Sequence, residues 1–227
     1  MRTLLLIILL FIPTIVQSQN QFRLSDASKN VDVGIELGEC GEYTSVCGPA
    51  KIRFFRKGEK RPFQAIYLKR TCTWDAFPKA NVIRRYDDQS TFNFGDYNFD
   101  GSEDVAICDG ANGGYGMPSY RVYLYSRTKK RFVYSRSFTK MNEGGLGMFE
   151  TDVKRKVHYV FRKDTCCWHQ TQGFDVYRGK PRQVYELTED SAYGDGSIVE
   201  VSTGKLIRGR WREWIKHVKA SEYYRQE

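Results

Sequence analysis

The stretch Phe94-Gly95-Asp96-Tyr97-Asn98-Phe99-Asp100-Gly101-Ser102-Glu103-Asp104-Val105-Ala106-Ile107 decides the fold. Asp96, Asn98 and Asp100 alternate, so a tightly curled loop can turn all three side-chain oxygens inward. Gly101 permits the backbone reversal, Ser102 offers its carbonyl, and Asp104 returns another carboxylate. These are the hard oxygen donors that Ca²⁺ collects. The alternative is an Asx-turn loop with solvated aspartates. Five matching positions at fixed spacing favour a Ca²⁺ site over 96–104 made by Asp96, Asn98, Asp100, Ser102 and Asp104. It is not an ordinary EF-hand. Ile107 stands where a bidentate Glu would close such a loop, and Asp104-Val105-Ala106-Ile107 reads as a strand, not a helix. The expected metal is therefore structural, folding a β-turn without opening a helix pair.

Working outward, short Val-, Ile-, Tyr- and Phe-rich runs recur between Gly, Asp, Asn and Lys clusters, as in many antiparallel strands. Lys51–Phe55, Ala65–Lys69, Asp104–Cys108, Arg121–Tyr125, Arg131–Tyr134, Val157–Arg162, Phe174–Tyr177, Gln183–Leu187, Ile198–Val201 and Lys205–Gly209 are such runs. Several alternate with period two, Val122 and Leu124 against Tyr123 and Tyr125. Two Tyr/Val hairpins, starting at Tyr120 and at Phe174, hint at an internal repeat. The tail differs: Trp211, Trp214, Ile215 and Val218 share one helical face, which predicts a short C-terminal helix, with a docking strand as the alternative. The expected fold is all-β and antiparallel, propeller-like or sandwich-like.

The 227 residues are 41% hydrophobic and 28% charged, which excludes a collagen, a disordered tail and a multi-span membrane protein. Arg2, an apolar run from Leu4 to Ile12, and Val16 and Ser18 ahead of Gln19 form the pattern of a secretory signal over 1–18. That run is too short to cross a hydrocarbon layer of roughly 30 Å. The expected organisation is signal peptide 1–18, flexible lead 19–29 and a single all-β domain 30–227, located in the periplasm or secreted, with no stable membrane insertion.

Secretion makes disulfides the default for Cys40, Cys47, Cys72, Cys108, Cys166 and Cys167. Cys40 and Cys47 bracket a short loop and form a plausible local pair. Cys166 and Cys167 either diverge to Cys72 and Cys108 or close on each other, and spacing does not choose.

Catalytic patterns are scarce. The sequence has no Gly-x-Ser-x-Gly elbow, no phosphate-binding loop and no His-Glu-x-x-His. Cys167 with His169 is the one close Cys–His pair, and in an oxidising compartment the thiol is consumed. Zinc at Cys166, Cys167 and His169 lacks a fourth ligand at any recognised spacing. A binding protein, not an enzyme, is the expectation.

The loop running into Asp104-Val105-Ala106-Ile107 resembles the FG-GAP repeat of integrin-like propellers, a resemblance that implies a calcium-stabilised adhesion or surface-recognition module. Asn112-Gly113-Gly114-Tyr115-Gly116-Met117-Pro118-Ser119-Tyr120 follows it, and then come Cys166-Cys167-Trp168-His169 and Phe174-Asp175-Val176-Tyr177. Over roughly 90–189 this arrangement is similar to the periplasmic calcium-binding immunity proteins of bacterium-killing type IV secretion systems. That resemblance implies inhibition of a lysozyme-like peptidoglycan hydrolase by a protruding loop. It assigns the metal to Asp96, Asn98, Asp100 and Asp104, and the inserting side chain to Tyr115. The residues agree in part: Gly114 and Gly116 shoulder a lone aromatic, suiting a partner's cleft, although the ring could instead fold onto the core. Asn142-Glu143-Gly144-Gly145-Leu146-Gly147 is a second Gly-rich stretch that could line the same rim.

Charge argues against this partner. The chain carries +9, or +8 once Arg2 is removed with the signal, whereas lysozyme-like enzymes are themselves basic. Steering would be poor unless acidic residues cluster locally. The basic runs Arg53-Phe54-Phe55-Arg56-Lys57 and Arg127-Thr128-Lys129-Lys130-Arg131 read as solvated turns and strand edges, and nucleic acid is not an expected partner outside the cytoplasm.

Overall fold

The computed structural model describes residues 20–41, 46–73, 78–84 and 89–224; the signal-peptide reading of 1–18 lies outside them. The chain is built from three antiparallel sheets that follow one another in sequence. The first contains β1 (Gln21–Leu24), β2 (Val31–Cys40), β3 (Val46–Arg56), β4 (Pro62–Leu68) and β5 (Thr71–Cys72). The second contains β6 (Phe92–Gly95), β7 (Asp104–Gly110), β8 (Ser119–Ser126) and β9 (Arg131–Tyr134). A short helix α1 (Arg136–Met141) leads to the third: β10 (Glu150–Asp152), β11 (Val157–Asp164), β12 (Trp168–Tyr177), β13 (Lys180–Asp190), β14 (Ile198–Ile207) and β15 (Arg210–Lys219), closed by helix α2 (Ala220–Tyr223). Apart from β5, which pairs with β3, each strand pairs with its sequence neighbours, the economical outcome of short turns between strands.

The second sheet is the middle layer. Val105, Ile107 and Tyr123, with Phe92 of β6, face the first sheet and share one core with its Phe54, Ile52 and Val33. Ala106, Cys108, Tyr120 and Val122 point the other way, onto Phe138 and Met141 of α1 and onto Phe149 and Val160. Strand β7 is therefore buried on both faces, which is why it reads as a near-continuous apolar run without alternation. Each fully buried Phe contributes roughly 1.5–3 kcal/mol of transfer free energy.

Three sequence expectations need correction. Residues 21–24, expected to lie in a flexible lead, form β1, which pairs with β2 from Gln21↔Glu36 to Leu24↔Val33 and packs Phe22 and Leu24 on the core. The tail from Trp211 to Val218 is not a helix but most of β15, paired over its full length with β14. A ten-residue helix is marginal alone, whereas the free edge of β14 offers a complete ladder; the short C-terminal helix forms after it. The two Tyr/Val hairpins both exist, yet β8–β9 ends its sheet while β12–β13 lies inside the next, so they are not equivalent units.

The disulfides are Cys40–Cys47, Cys72–Cys108 and Cys166–Cys167. Of the two outcomes left open, Cys166 and Cys167 close on each other. Cys40–Cys47 joins directly opposed residues of β2 and β3. Cys72–Cys108 ties the first sheet to β7 across 36 residues. Loop-closure entropy for such a span predicts that the Cys72→Ala/Cys108→Ala pair lowers unfolding free energy by about 3–4 kcal/mol. Denaturant titration checks this, and a loss below about 1 kcal/mol would mean the unfolded chain is already compact there.

Candidate functional site

The acidic loop joins β6 to β7 and is organised by its own backbone. Asp96 accepts hydrogen bonds from the amides of Asp100 at 3.0 Å and Gly101 at 2.8 Å. Asp100 accepts from the Asn98 side chain and the Ser102 amide, each at 2.8 Å. Gly101 has φ +82°, the left-handed conformation that glycine adopts without cost. Asp104 is fully buried, and its two oxygens accept from the amides of Tyr97 at 2.9 Å and Tyr125 at 2.8 Å. Burial pushes its carboxyl up to about 7, against the opposing pull of those amides. At Asp100 burial also pushes upward, but hydrogen bonds from Asn98 and Ser102, with Arg127 nearby, hold the carboxyl below the usual range.

Among the described residues no three His, Cys, Asp or Glu side chains are gathered around one point as a metal requires. The five candidate residues offer only hard oxygen donors, the carboxylates of Asp96, Asp100 and Asp104 with the Asn98 amide oxygen and the Ser102 carbonyl, and each of these carboxylates already accepts two hydrogen bonds from the chain.

Two residues that serve this loop were not singled out from sequence. Arg127, read as part of a solvated basic turn, lies across it and donates to Ser102 Oγ at 2.7 Å and to the Asp100 carbonyl at 2.6 Å. His158 of β11 is fully buried. Its Nε2–H donates to the Tyr97 carbonyl at 2.8 Å, because that oxygen can only accept, which leaves Nδ1 to accept from Thr151 Oγ1 at 3.0 Å. Phe99 stacks on the imidazole at 5.0 Å between ring centroids, and Phe149 meets it edge-on at 4.8 Å. His158 thus pins the loop to the third sheet; a lone His in an apolar strand carries no sequence signal for that role. Burial lowers its pKa to about 4, although the Tyr97 carbonyl favours the cation. The unfolded chain takes up a proton near 6.5 that the folded protein refuses until about 4. His158's own contribution to stability therefore falls as pH drops through that window, by about 3 kcal/mol in total. The difference between wild type and His158→Gln in pH-dependent denaturation should show this slope; identical pH profiles would rule out His158 as its source.

The Tyr115 loop lies after β7. Gly114–Gly116 form one 3₁₀ turn with Tyr115 itself at φ +55°, a conformation that costs a non-glycine residue about 1–2 kcal/mol. The Gly113 amide donates to the Met117 carbonyl at 2.8 Å, and the Gly114 amide to the Gly145 carbonyl at 2.9 Å. The second Gly-rich stretch therefore does share this rim. A Cβ on Gly113 would come within 2.7 Å of both the Gly145 and Met117 carbonyl oxygens, so the backbones meet only because the side chain is absent. Tyr115 does not fold onto the core: it is 61% exposed, and its hydroxyl donates to the Thr165 carbonyl in the β11–β12 turn at 2.6 Å.

The third sheet separates charge along its strands. Tyr159, Gly173, Tyr185, Lys205 and Arg212 form one row across β11–β15, with Glu150 opposite Tyr159. From that row outward to the β10–β11, β12–β13 and β14–β15 turns stand Lys154, Arg155, Lys156, Arg178, Lys180, Arg182, Lys205, Arg208, Arg210 and Arg212. The acidic residues there are Glu150, Asp152 and Asp175. The opposite end, which holds Thr165 and therefore Tyr115, carries eight acidic residues against four basic ones through Tyr224. The acidic residues thus gather at the same end of the sheet as the turn that holds Tyr115, while the charge against the ring itself is the Lys163 ammonium, 5.8 Å from its centre.

Meandering sheets stacked in sequence order, the middle one carrying an acidic loop, define an all-β protein with a short C-terminal helix. The same fold is found in the solved structure of a Xanthomonas type IV secretion system related protein: the TM-score is 0.63 at 21% identity, over 87% of this chain and 95% of that one. No family model matches the sequence, and no curated protein matches it. The disulfides fit a protein that works outside the cytoplasm, and among the described residues no helix is long and apolar enough to cross a membrane.

Proposed function

We propose that this chain is a non-enzymatic, extracytoplasmic immunity-type inhibitor associated with a type IV secretion system, and that it blocks a lysozyme-like peptidoglycan hydrolase by seating Tyr115 in the enzyme's cleft. The observation that carries this reading is the exposed Tyr115, held in a left-handed turn by glycine backbones. Backbone strain retained at an exposed aromatic is a mark of a working loop, and a pre-organised aromatic is an efficient interface anchor. The acidic end of the third sheet supplies the complementary field for a basic enzyme. The shared fold with a secretion-system related protein supports the same association.

Ca²⁺ belongs to this proposal as a structural ion. Asp96, Asn98 and Asp100 would offer side-chain oxygens, Ser102 its carbonyl and Asp104 its carboxylate, giving the negative loop the neutralising charge it needs. Assaying lysozyme-type wall hydrolysis with and without the purified protein tests the function: stoichiometric inhibition is expected, and no inhibition of any wall hydrolase would return the fold to the adhesion reading.

A further inference from the structure

The basic end of the third sheet is not used by that function. It concentrates ten basic residues against three acidic ones, whereas the opposite end of the same sheet holds four basic against eight acidic. All ten are exposed; Arg155 pairs with Asp152 and Arg182 with Asp175. Two of its turns are built against local preference. Arg178-Gly179 and Arg208-Gly209 have φ values of 51° and 72°, and of 49° and 74°, so both central residues are left-handed. Such two-residue hairpin turns favour Asn or Asp before Gly, because a long side chain has no local hydrogen bond to offset the strain. Both hairpins carry Arg there instead, which places a guanidinium at the outermost point of the sheet.

Each of the three turns also exposes an apolar or aromatic side chain: Val153 at 72%, Tyr177 at 48% and Trp211 at 42%. Tyr177 lies between Arg178 and Arg182, at 5.2 Å and 4.4 Å from its ring centre. Val153 and Tyr177 thus stand among cations at projecting turns, and the half-exposed Trp211 ring lies over Gly204 on the sheet face just behind the third turn. That arrangement suits a flat anionic surface with an apolar layer beneath it: headgroups meet Arg and Lys, and aromatic rings settle at the interface.

We propose that the β10–β11, β12–β13 and β14–β15 turns form a peripheral docking surface for anionic phospholipid bilayers, leaving the Tyr115 end directed away from the membrane. Binding is superficial, with no segment spanning the bilayer.

Vesicle flotation with the full mature chain tests this, using phosphatidylcholine alone and phosphatidylcholine containing a third phosphatidylglycerol. Wild-type protein should float with the anionic vesicles only, and should be released at high salt. The triple variant Arg178→Glu/Arg208→Glu/Arg210→Glu should partition on the order of 100-fold more weakly, with circular dichroism and melting unchanged. Reversing Lys129 and Lys130, on the β8–β9 turn of the middle sheet, should leave binding intact. Tryptophan emission should shift to the blue on binding, and Trp211→Phe should remove that shift. Equal flotation of the triple variant would overturn the proposal, as would absence of wild-type flotation at low salt. Retention on an anionic wall polysaccharide without vesicle binding would also overturn it, making a glycan the partner. None of these outcomes bears on inhibition through Tyr115, so the two readings fail independently.

Discussion

Adding Ca²⁺ to metal-free protein should raise its melting temperature by roughly 5–10 °C at a Ca²⁺ concentration one hundred times the dissociation constant, and Asp100→Ala should abolish the rise. Mass action at that ratio contributes about 2.7 kcal/mol, and a chain of this size shifts about 2–4 °C per kcal/mol. Asp100 is the sensitive position because it receives the Asn98 side chain and the Ser102 amide and lies under Arg127; its loss removes a donor and loosens the curl. The effect should also depend on pH with a definite sign. The buried Asp104 carboxyl titrates at about 7 when folded against 3.8 in the reference state. Between those values the metal-free folded protein binds a proton that the unfolded chain has lost, so this group's contribution to stability falls as pH rises. A cation must displace that proton below about 7, so the Ca²⁺-dependent increment should grow with pH up to neutrality and then level off. Asp104→Asn should keep a weaker increment and lose its pH dependence. An increment independent of pH in wild-type protein would show that Asp104 takes no part. An undiminished increment in Asp100→Ala would move the metal elsewhere.

Much of the architecture was legible because the middle strands state their surroundings. The run Asp104–Cys108 is apolar on both faces and became the doubly buried β7; the alternation from Arg121 to Tyr125 became β8, with Val122 and Tyr123 facing different cores. The tail misled because Trp211, Trp214, Ile215 and Val218 satisfy a helical spacing by coincidence; the β14 edge decided the outcome, and an edge is not visible in a local window. Strand β1 was missed for a similar reason: Phe22 and Leu24 alternate over only four residues, and the pairing with β2 supplies what the pattern lacks. Candidate site residues could be named from the sequence, but the contacts that hold them could not. His158 and Arg127 act on the acidic loop across tens of residues, through contacts that no spacing encodes. Net charge was the least informative quantity, since a chain total of +9 hides ends of the third sheet that are opposite in sign, ten basic against three acidic residues and four basic against eight acidic.

Replacing Tyr115 with Ala should weaken hydrolase inhibition at least about 30-fold, the scale of a truncated central aromatic anchor worth about 2 kcal/mol or more, while melting temperature stays within a degree or two. The asymmetry follows from the loop's construction. Tyr115 is 61% exposed, so its ring contributes little burial to the fold, and its one hydroxyl hydrogen bond to Thr165 is solvent-accessible and of small net worth. The turn is held by the Gly113, Gly114 and Gly145 backbones, which the substitution leaves in place. Tyr115→Gly sharpens the separation: it relieves the left-handed strain at φ +55° and adds unfolded-state entropy, two opposed effects of about 1 kcal/mol, so stability should barely move while inhibition is lost. Tyr115→Phe isolates the hydroxyl. If the ring is the anchor, Phe retains most of the inhibition and becomes free of its Thr165 tether; if the hydroxyl makes the decisive contact in the cleft, Phe behaves like Ala. Inhibition constants for Ala and Gly indistinguishable from wild type, with the fold intact, would remove Tyr115 from the interface and require the anchor to be sought on another surface.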